Sequence, residues 1–221
     1  MAELAMHADI LGKINSLLGK NVLLWGSQII KQKPFRRHRF HRDIEFSVID
    51  GVAVWLAVKN VNSDTFSVIP GSQLFRLSPQ ELSFLEGFNL NDEAAVLSST
   101  KKINPDSELV SLNISDGQYI IFHGKLWHGT KNKTANPRYA INLRYTNPCF
   151  KVRIGKNGDL PNAEWHKSEP ECLLVSGEDT FGINRLLNLD PIHYIKSWVK
   201  GLFFYLPINL IAKMKDKFKG M

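Results

Sequence analysis

The chain has 221 residues, 43% of them hydrophobic and 22% charged, with 15 Gly and 10 Pro, a composition that excludes collagen-like, disordered and disulfide-scaffold classes and allows one self-sufficient core. Its net charge of +7 divides unevenly: residues 31–42 (KQKPFRRHRFHR) hold six Lys/Arg and no acid, residues 191–221 hold six Lys and one Asp, and the other 178 residues sum to −4. A nucleic-acid binder with a uniformly basic surface is not built this way, and no nucleic-acid motif is present.

The opening MAELAMHADILGK carries acids and a lysine where a signal peptide needs an apolar run. Cys149 and Cys172 are too few for a secreted framework, so a cytoplasmic location is expected. Leu4, Ile10, Leu11, Ile14, Leu17 and Leu18 recur at helical spacing and predict one amphipathic helix over 3–18, ended by Gly19. Val22–Ile30 reads as a strand and is followed by the basic segment and Pro34. Short β runs come next, at Phe46–Ile49, Val52–Val58, Phe66–Ile69, Val110–Ile114, Tyr119–His123 and Tyr139–Thr146. Asp50-Gly51, Pro70-Gly71, Asp116-Gly117 and Asn157-Gly158 punctuate them. A helical insertion begins near Ser78, where Ser78-x-x-Glu81 has the form of a capping box. Many short strands between turns predict a sandwich, jelly roll or barrel, not an α/β sheet. In the last of these strands Arg138, Ala140, Asn142, Arg144 and Thr146 share one face, and Tyr139, Ile141, Leu143 and Tyr145 the other. The polar face either lines a wet cavity or meets solvent; periodicity leaves both open.

Of seven histidines, two stand in a His-x-Asp frame. His7 and Asp9 fall in the predicted helix, where residues two apart diverge, and read as surface. His41 and Asp43 fall in an extended stretch, where residues two apart share a face and can reach one ion. A third ligand far along the chain would complete a two-histidine-one-carboxylate set with open metal positions, the arrangement of non-haem Fe(II) oxygenases. His123 and His128 compete for that place: His123 sits in an apolar strand and can be a core histidine, whereas His128 opens a polar turn, His128-Gly-Thr-Lys-Asn132. Ten residues beyond His128 stands Arg138, whose guanidinium fork suits a carboxylate. A surface strand arginine is the plainer reading of the same residue.

FHRDIE (40–45), VWLAVKNV and FSVIPGSQ (within 54–73) and DGQYIIFHGKLWHGTKNKTANPRYAINLRYT (116–146) together resemble the phytanoyl-CoA dioxygenase family. The likeness runs from about Gly19 to Thr146, with Gln73 where the family's PGSH signature has histidine. The resemblance implies a mainly β, cupin-like double-stranded β-helix (a jelly roll) with flanking helices, using Fe(II), 2-oxoglutarate and O2. It implies His41, Asp43 and His128 as iron ligands, Arg138 as the anchor of 2-oxoglutarate, Thr130 assisting at the same carboxylate, and Trp55 and Gln28 as further cosubstrate contacts. Halogenating relatives carry a small residue in place of the metal-binding carboxylate, so Asp43 points to hydroxylation or a related oxidation of a small-molecule or lipid-like substrate, with release of succinate and CO2. The section before Val22 is short for the family, and the rival reading is a non-catalytic cupin-like metal- or ligand-binding module.

The basic strip FRRHRFHR reads as a solvated loop or as a phosphate-binding strip for an anionic substrate. The oxygenase domain is expected over 1–190 and a basic amphipathic helical tail over 191–221. Ile195, Trp198, Val199, Leu202, Tyr205 and Leu206 form one stripe of that tail, and its apolar run at 201–212, broken by Pro207 and Asn209, is short of the ~20 residues that span a bilayer. Two readings stand for it: attachment to the anionic inner face of a membrane, or docking on the domain or a second copy.

Overall fold

The computed structural model describes residues 1–44, 49–62, 64–153 and 169–187. The chain enters through α1 (Ala2–Ala5) and α2 (Ala8–Leu18) and runs on through β1 (Val22–Gln32), β2 (Arg37–His41), β3 (Gly51–Lys59) and β4 (Phe66–Ile69). A single 3-10 turn at Ser72–Leu74 leads to α3 (Pro79–Glu86) and α4 (Glu93–Ile103). The second half supplies β5 (Val110–Leu112), β6 (Tyr119–His123), β7 (Trp127–Lys131), β8 (Arg138–Thr146), β9 (Glu171–Ser176) and β10 (Arg185–Leu186).

The strands form a six-stranded sheet, β10-β9-β1-β8-β3-β6, and a four-stranded sheet, β2-β7-β4-β5. Pairing is antiparallel except between β10 and β9. Ala53, Trp55 and Ala57 of β3, Phe122 of β6 and Ala140 of β8 pack against Phe66 and Val68 of β4, closing the two sheets over one interior. Trp55 meets Phe66 edge-on at 5.2 Å, and Phe66 meets Phe122 at 5.4 Å. The result is mainly β, one of the architectures that the short strands predicted, and it is the double-stranded β-helix jelly roll that the family resemblance implied.

Helices cover the outer faces. Ala5, Ile10 and Ile14 of α1 and α2 pack on Val22, Leu24, Val54, Leu143 and Tyr145 of the large sheet. The single helix expected over 3–18 is broken at Met6-His7, with His7 extended. The Tyr145 hydroxyl donates to the Ala5 carbonyl at 3.1 Å, taking the acceptor that a continuous helix would have offered to the N–H four residues on. Gly19 ends α2 at φ 85°, as expected of a residue free to adopt positive φ. The helical insertion holds two helices. The Ser78–Glu81 capping box opens α3, and Asp92 caps α4 by accepting from Ala94 and Ala95 N–H. Leu82, Leu90 and Val96 from this insertion bury Phe40, Ile69 and Trp127 on the outer face of the small sheet.

Two strands of the small sheet differ from the sequence reading. Residues 128–132, expected as a polar turn, belong largely to β7, a strand buried along its whole length between β2 and β4. The basic segment after Lys31, expected as a loop, contains β2. Gly129 lets them approach: a methyl group there would sit 2.9 Å from Cδ2 of Phe40. The strand expected at Phe46–Ile49 lies outside the described residues except for Ile49, which is buried in irregular chain. The turn at Asn157-Gly158, the tail from 191 and the boundary at 190 lie outside them as well. Among the described residues no helix is long and apolar enough to cross a membrane.

Candidate functional site

His41 at the end of β2 lies directly opposite His128 of β7 in the strand register, with ring centroids 4.2 Å apart. A β-bulge makes this possible. His38 pairs with Thr130 and His41 with His128, so three steps on β2 match two on β7. The extra residue sends Phe40 to the outer cluster and returns His41 to the inner face. Asp43 converges on the same point from a bend past the end of β2. The expected meeting of His41 and Asp43 therefore occurs, but through a bulge and a bend and not through plain strand alternation.

One ligand atom from each of His41, Asp43 and His128 lies within 4.8 Å of the others. Nδ1 of His41 donates to the Arg39 carbonyl at 2.9 Å, and Nδ1 of His128 to the Leu126 carbonyl at 3.0 Å. A carbonyl only accepts, so each Nδ1 carries the proton and each Nε2 keeps its lone pair. Burial and then the neighbouring His128 push His41 down to about 3, and burial lowers His128 as well, so both rings are in the neutral form that binds metal. Burial alone would raise the Asp43 carboxyl, but the Arg144 guanidinium beside it and the Asn142 amide hold it well below the usual carboxylate range. Two neutral imidazoles and one ionised carboxylate are a donor set suited to Fe(II).

His128 lies parallel to the Phe66 ring at 5.3 Å and meets Phe122 at 4.7 Å, so the interior aromatics pack this side of the cluster. His123 is elsewhere. Its Nε2 is 2.8 Å from Asp50, and its Nδ1 accepts from the Lys125 N–H at 3.1 Å. His7 and Asp9 are exposed on the far side of the large sheet, where Asp9 accepts from Lys13 and Tyr119.

The second half of the site is built on β8. The face carrying Arg138, Asn142 and Arg144 points inward: Arg138 is 1% exposed and Asn142 3%. Arg138 Nη2 donates to Thr130 Oγ1 at 3.0 Å and to Gln32 Oε1, and its guanidinium lies 5.1 Å from the Trp55 ring. Its Nε and Nη1 are buried without a hydrogen-bond partner among the described residues. Among the described residues no acid answers its charge; burial lowers it, to about 10, and it stays protonated at neutral pH. A buried cation with two unused donors fits a carboxylate brought by a ligand. Thr130 stands two residues beyond His128 on the same face of β7, which sets this fork beside the His41–Asp43–His128 cluster.

Trp55 and Thr130 both lie against Arg138. Gln28 is on the inner face, opposite Asn142 in register, but it is exposed. The strand residue that touches Arg138 is Gln32, four positions on, which the sequence reading missed; its alternation with Gln28 was the available signal. Asn142 and Arg144, left open between cavity and solvent, both bind Asp43. His38, with its ring 4.4 Å from His41, adds an imidazole at the exposed edge of the site.

A profile of the family described as Phytanoyl-CoA dioxygenase (PhyH) matches residues 2–140. The chain is 26% identical over 149 residues to the peroxisomal phytanoyl-CoA dioxygenase of Rattus norvegicus, a match covering 62% of this chain and 43% of that protein. Among solved structures it is similar to the apo non-heme monooxygenase ThoJ, at TM-score 0.59 and 21% identity over 89% of this chain and 70% of that one. It is also similar to CytC3 with Fe(II) and alpha-ketoglutarate, at TM-score 0.54 and 18% identity over 84% and 68%. A third similar structure is the epimerase SnoN in complex with Fe3+, alpha ketoglutarate and nogalamycin RO, at TM-score 0.54 and 18% identity over 85% and 70%.

Proposed function

This chain belongs to the phytanoyl-CoA dioxygenase family, and we propose that it is an Fe(II)- and 2-oxoglutarate-dependent dioxygenase acting on a small-molecule substrate, with His41, Asp43 and His128 as metal ligands. The observation that carries the proposal is the buried Arg138 fork, with no acid beside it among the described residues, next to a three-ligand cluster. CytC3 and SnoN, which hold iron with alpha-ketoglutarate, support the pairing. Bound Fe(II) with 2-oxoglutarate and O2 would supply the oxidant, leaving succinate and CO2 as co-products. The protein's residues bind and orient. His41 and His128 present neutral Nε2 atoms, and Asp43 offsets part of the metal charge. Arg138, with Thr130 and Gln32 holding its guanidinium, takes the far carboxylate of the cosubstrate. Trp55, Phe66 and Phe122 keep that half of the cavity dry, which strengthens the ionic contact.

The rival is a metal-binding module without turnover. Purified protein supplied with Fe(II) anaerobically and then exposed to air should convert 2-oxoglutarate to succinate, faster when extract of the source cell supplies substrate. Binding of both metal and 2-oxoglutarate with no succinate in any condition decides for the module.

For the tail we propose reversible attachment to an anionic membrane surface. Six lysines against one aspartate and a stripe containing Trp198 support it, since each surface lysine contributes about 1 kcal/mol. Whole chain should co-sediment with phosphatidylserine vesicles, less so at high salt. A version ending near Asp190 should not. Equal sedimentation of the two overturns the proposal.

A further inference from the structure

The carboxylate of Asp43 is held more tightly than a metal ligand alone requires. Its Oδ1 accepts from Arg144 Nε at 2.9 Å and from Asn142 Nδ2 at 3.2 Å, and lies 2.8 Å from Arg144 Nη2. Among the described residues its Oδ2 receives only Asn142 Nδ2, at 3.1 Å. A carboxylate oxygen has two lone-pair directions. Oδ1, with two hydrogen bonds and a second Arg144 nitrogen at ion-pair distance, is saturated, whereas Oδ2, with one among the described residues, retains a free direction. The Asp43 side chain is 1% exposed, so water does not reorder this pattern.

Arg144 is itself fixed from behind. It lies opposite Gly26 in the β1–β8 register, where no side chain competes for its space, and its guanidinium stands 5.8 Å from the ring of Trp25, a buried residue. It answers the charge of Asp43, while Arg138, on the same face of the same strand, has no acid beside it among the described residues. The two arginines of β8 therefore have different duties.

We propose that Arg144 is a positioning residue that saturates Oδ1 of Asp43, so that this carboxylate offers the metal one oxygen, Oδ2, and a coordination position stays free for the cosubstrate. The proposal rests on the Fe(II)/2-oxoglutarate reading. A carboxylate released from Arg144 can turn both oxygens to a metal. That second contact would occupy a position that 2-oxoglutarate needs. Removing the guanidinium also removes a positive charge that repels a dication. Metal binding and cosubstrate binding should therefore move in opposite directions, which a loss of structure would not produce.

The test is Arg144→Gln in the full chain, with Mn(II) affinity by calorimetry and 2-oxoglutarate affinity by titration of the anaerobic Fe(II) protein, followed in its charge-transfer absorption. The variant should bind Mn(II) at least as tightly as wild type and bind 2-oxoglutarate about tenfold or more weakly, with the absorption of the Co(II)-loaded protein changed in intensity. Arg144→Lys, which returns the charge and one donor, should recover part of the cosubstrate affinity and keeps the question answerable if the glutamine variant does not fold. Parallel loss of both affinities with a lowered melting temperature would show a structural arginine and overturn the proposal. So would unchanged affinities. If wild type itself binds neither Mn(II) nor 2-oxoglutarate, the function proposed above fails first, and this inference with it.

Discussion

Arg138→Met should abolish 2-oxoglutarate binding while leaving the ligand-free protein at least as stable as wild type. Arg138 is a fully buried cation with no acid among the described residues and with Nε and Nη1 unpaired. An uncompensated buried charge costs several kcal/mol, and replacing buried charges by apolar groups of similar volume is often neutral or stabilising by about 1–4 kcal/mol. Against this stand two donated hydrogen bonds, to Thr130 and Gln32, and the contact with Trp55. Those two partners keep each other, because Thr130 Oγ1 also donates to Gln32 Oε1 at 3.4 Å. Thermal unfolding without ligand should show no loss of melting temperature. The anaerobic titration should show no cosubstrate binding.

Arg138→Lys separates charge from shape. An ammonium keeps the charge but not the two-pronged contact, and breaking a buried charge-assisted pair costs about 2–5 kcal/mol. With the charge kept, the lower end applies, roughly a 30-fold loss of affinity. Wild-type affinity in the lysine variant would remove Arg138 from the site. A melting temperature that drops sharply in the methionine variant would mean the guanidinium is held for the fold and not for a ligand.

Where the sequence was readable, one face of a strand carried the core. β4 and β6 have the expected limits because FSVI and YIIFH are apolar runs bounded by turns. β8 was readable because Tyr139, Ile141, Leu143 and Tyr145 alternate with polar residues. β7 was not, because neither of its faces is plainly apolar. Its inner face carries His128 and Thr130 for the site. Its outer face buries Lys131 through an ion pair with Glu93 of α4 at 2.8 Å, a partner 38 residues away that no local pattern shows. The bulge in β2 was hidden for a similar reason. Only the partner strand, with Gly129 under Phe40, requires the extra residue. Local periodicity reports burial by hydrocarbon; it does not report burial by charge pairing or by a ligand.

His128→Ala should eliminate stoichiometric Fe(II) binding, and His123→Ala should preserve it. Residue pattern alone left the two in competition, since they are five residues apart and flank one turn, and the family resemblance chose His128. Geometry separates them through their spare lone pairs. His123 has both nitrogens committed, Nε2 to Asp50 and Nδ1 to the Lys125 N–H, and its side chain is 35% exposed. His128 commits only Nδ1, to a backbone carbonyl, and turns toward His41 and Asp43. For a metal-bound imidazole, losing only the partner of its other ring N–H costs about 10–100-fold in metal affinity or activity, so losing the imidazole itself should exceed that range. Alanine at 128 also leaves a hole between Phe66 and Phe122, so the measurement needs its control. His128→Gln fills most of the space and offers an amide oxygen, a poorer donor to Fe(II) than imidazole. Both variants should lose metal, whereas only the alanine should lose appreciable stability. His123→Ala should behave in the opposite way, losing the hydrogen bond to Asp50 and a little stability while titrating one Fe(II) per chain. If the metal instead leaves with His123, the three-residue cluster is not the iron site, and the role assigned to Thr130 beside it falls too.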